Sequence, residues 1–460
     1  MSKYKNEEKT MTNSTRYIQK LAMLLCMAML SMQGFAESYV YLTNNTMTPL
    51  TVNTVQTGHN NITHGDQWQQ LETSVAPLAT IKFLKFNRDK GIKWGKEYVF
   101  TTQVSGLDQD VQLTQKLKGT MTFSKMWLSA QNESWFYDRD IHNVLLSQDQ
   151  DKTQTLALKS SYARASGDDI HYVIHDEFQT IEPTQYSNEL NVLTYNTWAL
   201  LPGIEAKNTA NRLNTIVGYA KNYDVIIFQE VFDPILTAKF RKNISKEYPY
   251  LTEIPWKLGK ILTGGSFIAS RWPIEAQDAV VYDACRTDGC LAGKGINYAK
   301  IRKGSNAYHV FGTHTHAYAG AEDIAIRFTQ LNQFSDLMAS KNIPYSEPVI
   351  MAGDFNVDKL NYPQEHADFL AVLNATEPQA TGEYDQSYAG PVNIYADEQY
   401  REYLDYVLYS NEHLAPYASY NKLLTPRSIK SEHWGSWDLS DHYPVSAKFE
   451  YPLPAEYTPF

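Results

Sequence analysis

The chain has 460 residues, 43% of them hydrophobic, so it can bury a sizeable core and is too long for one ordinary domain. Its net charge of −10 argues against a general nucleic-acid binder, whose surface is usually basic. Beyond the N-terminus no stretch keeps the uninterrupted apolar length of a membrane span.

At the start of the chain, Arg16 and Lys20 precede an apolar run from Leu21 to Met32 that is too short to cross a bilayer. Gly34-Phe35-Ala36 then offers small residues where a signal peptidase cuts. Residues 1–36 therefore read as a Sec signal peptide cleaved after Ala36, with Met11 an alternative start, and the mature protein is expected to be secreted. Cys26 lies in mid-run without the small residues of a lipoprotein site. Cleavage removes five basic and two acidic side chains, which lowers the net charge from −10 to −13. Cys285 and Cys290 remain, flanking Arg-Thr-Asp-Gly in a polar loop, and in an oxidising compartment they are expected to form a small-loop disulfide.

Residues 37–185 contain short alternating segments separated by Asn, Gly, Asp and Pro. They are Tyr39-Val-Tyr-Leu, Thr80-Ile-Lys-Phe-Leu-Lys-Phe, Tyr98-Val-Phe-Thr-Thr, Thr120-Met-Thr-Phe and His171-Tyr-Val-Ile. The period of two predicts a smaller all-β domain, a sandwich. It holds no cluster of catalytic residue types. It is either a folding and stability module or a surface or lipid attachment.

Glu182-Pro-Thr-Gln-Tyr-Ser-Asn reads as a linker. From 189 to 450 the pattern changes to buried strands alternating with helices, which predicts an α/β domain; residues 451–460 form a tail. Leu190 to Asn196 is a strand, Asn208 to Lys221 an amphipathic helix, and Asp224 to Glu230 the next strand. Ser266-Phe-Ile-Ala-Ser, His309-Val-Phe-Gly-Thr, Val349-Ile-Met-Ala-Gly and Leu404-Asp-Tyr-Val-Leu continue the series.

Polar residues suited to metal and phosphate chemistry sit where these apolar strands stop. Asn196, Glu230, His314, Asp354 and Asn356 end strands, and Asp441 and His442 follow the polar loop from Ser436 to Ser440. One such residue is usually a turn or a cap. The set is different, because strand ends converge on one sheet edge and can share a site. It offers oxygen ligands that suit Mg²⁺, Mn²⁺ or Ca²⁺ better than Zn²⁺, together with two histidines for acid and base work. His316, two residues beyond His314, shares its face on a strand and is either a substrate or supporting contact or a polar loop residue.

These motifs resemble a known superfamily. Leu193-Thr-Tyr-Asn-Thr-Trp, Ile227-Phe-Gln-Glu-Val, Gly264-Gly-Ser-Phe-Ile-Ala-Ser-Arg-Trp-Pro-Ile, Gly312-Thr-His, Ala352-Gly-Asp-Phe-Asn-Val, Leu404-Asp-Tyr-Val and Ser440-Asp-His-Tyr-Pro-Val occur in the order of the exonuclease–endonuclease–phosphatase superfamily. The resemblance covers about residues 189–450 and implies a four-layered α/β/β/α sandwich of the DNase I type. It also implies roles. Glu230 is the principal metal carboxylate, with Asn196 beside it. Asp354 and Asn356 position water and phosphate. His442 is the general base, oriented by Asp405. His314 protonates the leaving alkoxide or stabilises phosphate charge, and Asp441 supports the metal or its water shell. The implied cofactor is Mg²⁺, with Mn²⁺ or Co²⁺ as substitutes and Ca²⁺ a ligand rather than an activator.

Within that superfamily the chain is most similar to the bacterial sphingomyelinases C. The block Gly289-Cys-Leu-Ala-Gly-Lys-Gly-Ile-Asn-Tyr-Ala-Lys-Ile is similar to one in those enzymes, and Tyr406 stands where nucleases and inositol phosphatases usually place arginine. The implied reaction is Mg²⁺-dependent hydrolysis of sphingomyelin to ceramide and phosphocholine by a monomer at a membrane surface, with membrane damage as the consequence. Trp434 and Trp437, in His433-Trp-Gly-Ser-Trp, either meet the membrane or pack inside the domain. A secreted DNase I-like endonuclease and a phospholipase C of broad specificity are the alternative readings. A membrane-binding cytolysin on a dead scaffold is a third, disfavoured because no catalytic position is lost.

Overall fold

The computed structural model describes residues 37–452 apart from 89, 122–123, 150–151, 165–166, 179–184 and 204–206. The expected signal peptide, the start of the linker and all but two residues of the expected tail lie outside the described residues. The chain divides into two compact units, one ending at Phe178 and the other beginning at Gln179.

The first unit is built of strands alone among the described residues. In chain order they are β1 (Glu37–Asn45), β2 (Leu50–Gln56), β3 (Trp68–Gln70), β4 (Ser74–Val75), β5 (Thr80–Asn87), β6 (Glu97–Ser105), β7 (Val111–Gly119), β8 (Ser124–Ala130), β9 (His142–Gln148), β10 (Lys152–Arg164) and β11 (Gly167–Phe178). They form two sheets, in the orders β3-β5-β1-β11-β10-β9 and β4-β2-β6-β7-β8. Strict alternation in β6 and β7 turns Phe100, Val104, Leu113 and Leu117 inward to meet Leu42, Leu158 and Tyr172 of the other sheet in one core. The strand expected at Thr120-Met-Thr-Phe is a correction. Thr120 and Met121 lie in the connection between β7 and β8, where Met121 is exposed, and residues 122–123 lie outside the described residues.

The second unit has two central sheets. The first, in the order β14-β15-β13-β12-β26-β25-β21, contains β12 (Glu189–Ala199), β13 (Val225–Val231), β14 (Tyr250–Leu251), β15 (Phe267–Ser270), β21 (Gln379–Thr381), β25 (Ala418–Leu423) and β26 (Val445–Glu450). The second, in the order β16-β17-β18-β19-β24-β20, contains β16 (Ile274–Val281), β17 (Gly295–Lys303), β18 (Asn306–His314), β19 (Val349–Asp354), β20 (Ala375–Thr376) and β24 (Asp405–Ser410). A two-stranded ribbon pairs β22 (Tyr388–Ala389) with β23 (Arg401–Glu402). Helices α1 (Thr209–Tyr219) and α2 (Pro234–Ile244) cover the first sheet, where Leu213, Ile216 and Phe240 pack on Tyr195, Ile226 and Phe228. Helices α3 (Ala321–Ser340) and α4 (Pro363–Leu373) cover the second, where Phe334 faces Phe311 and Phe355 and Phe369 faces Phe355.

The fold is therefore the four-layered α/β/β/α sandwich with a separate β unit before it. The two sheets lie close. A Cβ at Gly312 of β18 would fall 2.7 Å from Ile227 Cγ2 of β13, so glycine is needed for the layers to touch. Strands buried on both faces read as apolar runs, which is why Val225–Phe228 and Val349–Ala352 stood out in the sequence.

Candidate active site

One hydrogen-bonding register sets the centre of the site. Across three adjacent strands of the second sheet, His314 pairs with Asp354 and Asp354 with Asp405. The three side chains thus form a row at one end of the sheet. The facing sheet contributes Asn196 from β12 and Glu230 from β13, which are parallel neighbours with Asn196 opposite Gln229. The turn into β26 supplies Asp441 and His442.

Contacts tie the row to the facing sheet. Asn196 donates through Nδ2 to Asp354 Oδ2 at 3.0 Å, and its Oδ1 accepts from Trp198 N–H at 3.1 Å. His442 Nδ1 lies 2.8 Å from Asp405 Oδ2, and His442 Nε2 lies 3.9 Å from Asp354 Oδ2. Asp405 is fixed by Ser387, whose Oγ accepts from the backbone N–H of Leu404 at 2.8 Å and of Asp405 at 3.2 Å. The Ser440 hydroxyl donates to Asn196 O at 2.7 Å, which anchors the Asp441–His442 turn. Asn356 N–H donates to Asp354 Oδ1 at 3.0 Å, and its side chain donates to Thr315 O at 3.2 Å. Glu230 and Asn356 both take left-handed backbone, with φ of 56° and 50°, which turns each side chain out of its extended run.

His314 Nε2 sits 3.5 Å from Asp354 Oδ2 and 3.8 Å from Glu230 Oε1. Its nearest partner is Lys294 Nζ at 2.7 Å. An ammonium only donates, so Nε2 accepts and the ring proton sits on Nδ1.

The electrostatics split the two histidines. Burial, then the charges of Lys294 and His442, hold His314 well below the usual imidazole range. Burial also opposes a charge on His442, but the carboxylates of Asp405, Asp441 and Asp354 outweigh it and hold the ring well above that range. Burial and repulsion by Asp441 push Glu230 up to about 7. Burial raises Asp405 to about 6 against the pull of His442, and burial raises Asp441 as well. A neutral and a cationic imidazole on opposite sides of a buried carboxylate cluster can give and take protons across one substrate.

Of the residues read from the sequence, Asn196, Glu230, His314, Asp354, Asn356, Asp405, Asp441 and His442 come together. Three do not. His316 is buried with its Nε2 2.9 Å from Asp323 of α3, and its backbone N–H donates to Gln330 Oε1 at 2.7 Å, so it braces the helix. Its position two residues along fails to share the face of His314 because β18 ends at His314. Trp437 is buried and meets half-buried Trp434 edge-on at 5.1 Å, after a short 3₁₀ turn at Ser431–His433. These two rings pack within the domain. Cys285 and Cys290 are bonded to each other, as expected.

Sequence reasoning missed four neighbours. Lys294 was visible only as part of a similar block, with no role attached. Buried Arg212 of α1 donates to Thr197 O, Trp198 O and Leu439 O at 2.8–2.9 Å and lowers Asp441 by its charge. An arginine on an amphipathic helix carries no sequence signal of burial. Tyr388 forms a bridge with His442, with ring centres 5.2 Å apart. Glu402, opposite Tyr388, is pushed up to about 7 by burial and then by Asp358. Two-residue strands such as β22 and β23 leave no periodicity to read.

Residues 193–442 match the Endonuclease/Exonuclease/phosphatase family. The chain is 33% identical over 303 residues to a sphingomyelinase C of Bacillus cereus, covering 57% of this chain and 90% of that protein. It is 32% identical over 263 residues to a phospholipase C of Staphylococcus aureus, covering 50% and 77%. Among solved structures it is similar to the sphingomyelinase C of Streptomyces griseocarneus, at 29% identity and a TM-score of 0.53, covering 57% of this chain and 99% of that one. It is also similar to a beta toxin of Staphylococcus aureus solved with bound magnesium ions, at 30% identity and a TM-score of 0.52, covering 58% and 100%.

Proposed function

Since the chain belongs to the bacterial sphingomyelinases C of the endonuclease/exonuclease/phosphatase family, and is thus a phosphoric diester hydrolase, we propose that it cleaves sphingomyelin to ceramide and phosphocholine. The observation that carries this reading to the residues is the row His314–Asp354–Asp405 with His442 bonded to its end.

In this mechanism Asp405 holds Nδ1 of His442, so Nε2 is turned toward Asp354. The carboxylate charge that keeps His442 protonated would be offset by a cation held among Glu230, Asp354 and Asp441; once neutral, Nε2 takes the proton of a water between it and Asp354 while the water oxygen attacks phosphorus. The bond from phosphorus to the ceramide oxygen breaks. The Lys294–His314 pair returns a proton to that oxygen. Lys294, Asn196 and Asn356 meet the negative charge on the phosphate oxygens. The Tyr388 ring and the Glu402 carboxylate beside His442 suit a quaternary ammonium, which favours aromatic faces and negative charge.

The oxygen set also fits Mg²⁺. Glu230, Asp354, Asp441 and the amide oxygen of Asn196 are hard donors, and burial raises Glu230 and Asp441, a cost that a bound cation would offset. Glu230, with 19% of its side chain exposed, is the member open to an incoming ion. Glu230 and Asn196 would hold the ion, with Asp354 and Asp441 on its water shell; Mn²⁺ or Co²⁺ would substitute. An ion held there would supply Lewis-acid polarisation of a phosphoryl oxygen and would lower the charge that repels a nucleophile.

Lipid access has support away from Trp434 and Trp437. Trp256, Leu258, Ile261 and Leu291 are 56%, 88%, 75% and 48% exposed. They share one patch, where Ile261 N–H donates to Leu291 O at 3.0 Å, three residues before Lys294. Secretion through residues 1–36, action as a monomer at sphingomyelin-containing membranes and haemolysis belong to the same proposal.

The test is phosphocholine release from sphingomyelin liposomes with Mg²⁺ or with EDTA, comparing the parent with His442→Ala and using plasmid DNA as the parallel substrate. Metal-dependent release that falls at least about a thousandfold in the variant is expected. Intact liposomes with nicked plasmid would move the function to a nuclease.

A further inference from the structure

The β unit ends in a cationic, apolar-tipped surface that none of this chemistry uses. The loop from β5 to β6, residues 88–96, folds across the end of β7. Gly95 N–H donates to Gly119 O at 3.0 Å, and Gly119 N–H donates to Lys96 O at 3.0 Å. A side chain at Gly119 would not fit, because its Cβ would fall 2.1 Å from Lys93 O. Arg88 fixes the base of the loop by donating through Nε to Ser124 Oγ at 3.1 Å, and Lys93 N–H donates to Tyr98 Oη at 3.2 Å. The loop therefore lies beside the end of β7, two residues before Met121.

Two large apolar side chains stand out at this end, Trp94 at 73% exposure and Met121 at 84%. The sequence around them is strongly basic. Residues 88–98 and 116–125 hold seven Lys and Arg against two acids, in a chain whose net charge is −10. Among the described residues the nearby acids Glu97 and Asp66 are engaged: Glu97 by Lys118 at 2.9 Å and Lys116 at 3.8 Å, and Asp66 by Lys90 at 2.9 Å. Lys93 and Lys96 are exposed and form no ion pair among the described residues.

We infer that this end of the β unit docks on an anionic lipid surface. A tryptophan and a methionine held out on a braced loop end suit the boundary between headgroups and tails, and lysines around them suit lipid phosphates. A soluble polyanion would use the lysines but has no need of Met121. This site lies in the unit without catalytic residues and stands whether or not sphingomyelin is the substrate.

The test uses the full chain in EDTA with vesicles that contain no sphingomyelin. Vesicles of phosphatidylcholine with about 30% phosphatidylglycerol should sediment the protein, and vesicles of phosphatidylcholine alone should do so at least about tenfold less well. The double variant Lys93→Gln, Lys96→Gln should weaken binding about thirtyfold, and Trp94→Ala with Met121→Ala at least about tenfold. Thermal unfolding of both should match the parent, since all four side chains are solvent-exposed. Equal binding to the two vesicle types, or binding unchanged in both variants, would overturn the inference. Tight binding to heparin that ignores the Trp94 and Met121 changes would overturn it in favour of a soluble polyanion.

Discussion

Lys294 changes what His314 can do. While the ammonium donates to Nε2, that nitrogen carries no proton of its own, and the pair rather than the ring is the proton source. Lys294→Met should lower kcat about a hundredfold or more with a smaller change in KM, because the charge acts on the transition state. Phosphocholine release at saturating substrate checks this, and an unchanged kcat would remove Lys294 from the machinery. Asn196, Glu230, His314, Asp354 and Asn356 were legible because each follows an apolar strand and its chemistry is unusual there; Asp441 and His442 were found after a polar loop, and Asp405 through the resemblance alone. Lys294 and Arg212 were not, since a lysine in a loop and an arginine on a helix are ordinary until the fold buries them or aims them at a partner. His316 shows the opposite failure. Face-sharing at two residues holds only while the strand lasts, and β18 stops at His314.

Among the elements, β19 carries most of the geometry. Its neighbour before Asp354 is Gly353, with φ of 155°, where a Cβ would come 2.1 Å from Thr313 O of β18. That oxygen is backbone inside a sheet and cannot swing away. Gly353→Ala should therefore force β18 and β19 apart at the row, destabilise the catalytic unit by roughly 2–4 kcal/mol and abolish turnover. Urea unfolding and activity together check it, and full activity at parental stability would mean that the sheet yields at no cost. The long strands of both units were readable from apolar runs and alternation, although their ends moved by several residues. Helices α2, α3 and α4 were expected only as a class. Pro at the first position of α2 and α4 marks their starts, but the polar mixture of α3, with Asp323 and Arg327 buried, blurs its period. The shortest strands, β22 and β23, exist only because their partners hold them.

Taken whole, the chain gathers buried acids at one end of the catalytic unit, and this sets a pH dependence. Glu230 and Glu402 are pushed up to about 7 and Asp405 to about 6, all above their unfolded values. A carboxyl raised in the fold adds stability at low pH that is lost as pH rises through its folded pKa. Buried neutral histidines such as His314, His309 and His433 oppose this only below about pH 6.5, where free imidazole charges. The metal-free catalytic unit should thus gain a few degrees in Tm between pH 8 and 6.5. Glu230→Gln should raise Tm at pH 8 and flatten the slope; a calorimetric Tm unmoved by that change would show that the acids are not crowded. At this scale the sequence separated an alternating half from a strand–helix half, but exposure was beyond it. Trp434 and Trp437 could be read as meeting lipid or as packing inside the domain, and they pack, whereas Trp94 and Trp256 drew no notice. The β unit also has a direction. Its first and last strands run parallel, Val40 beside Ile170 and Asn45 beside His175, so the chain enters at one end and leaves about 35 Å away at the other. Glu37 pairs with Asn87, which puts the entry at the lysine-rich end and Phe178 at the far one. A segment fused ahead of Glu37 emerges at the end of the β unit that carries Trp94, so an acidic tag there would mask that surface, and a tag belongs at the C-terminus.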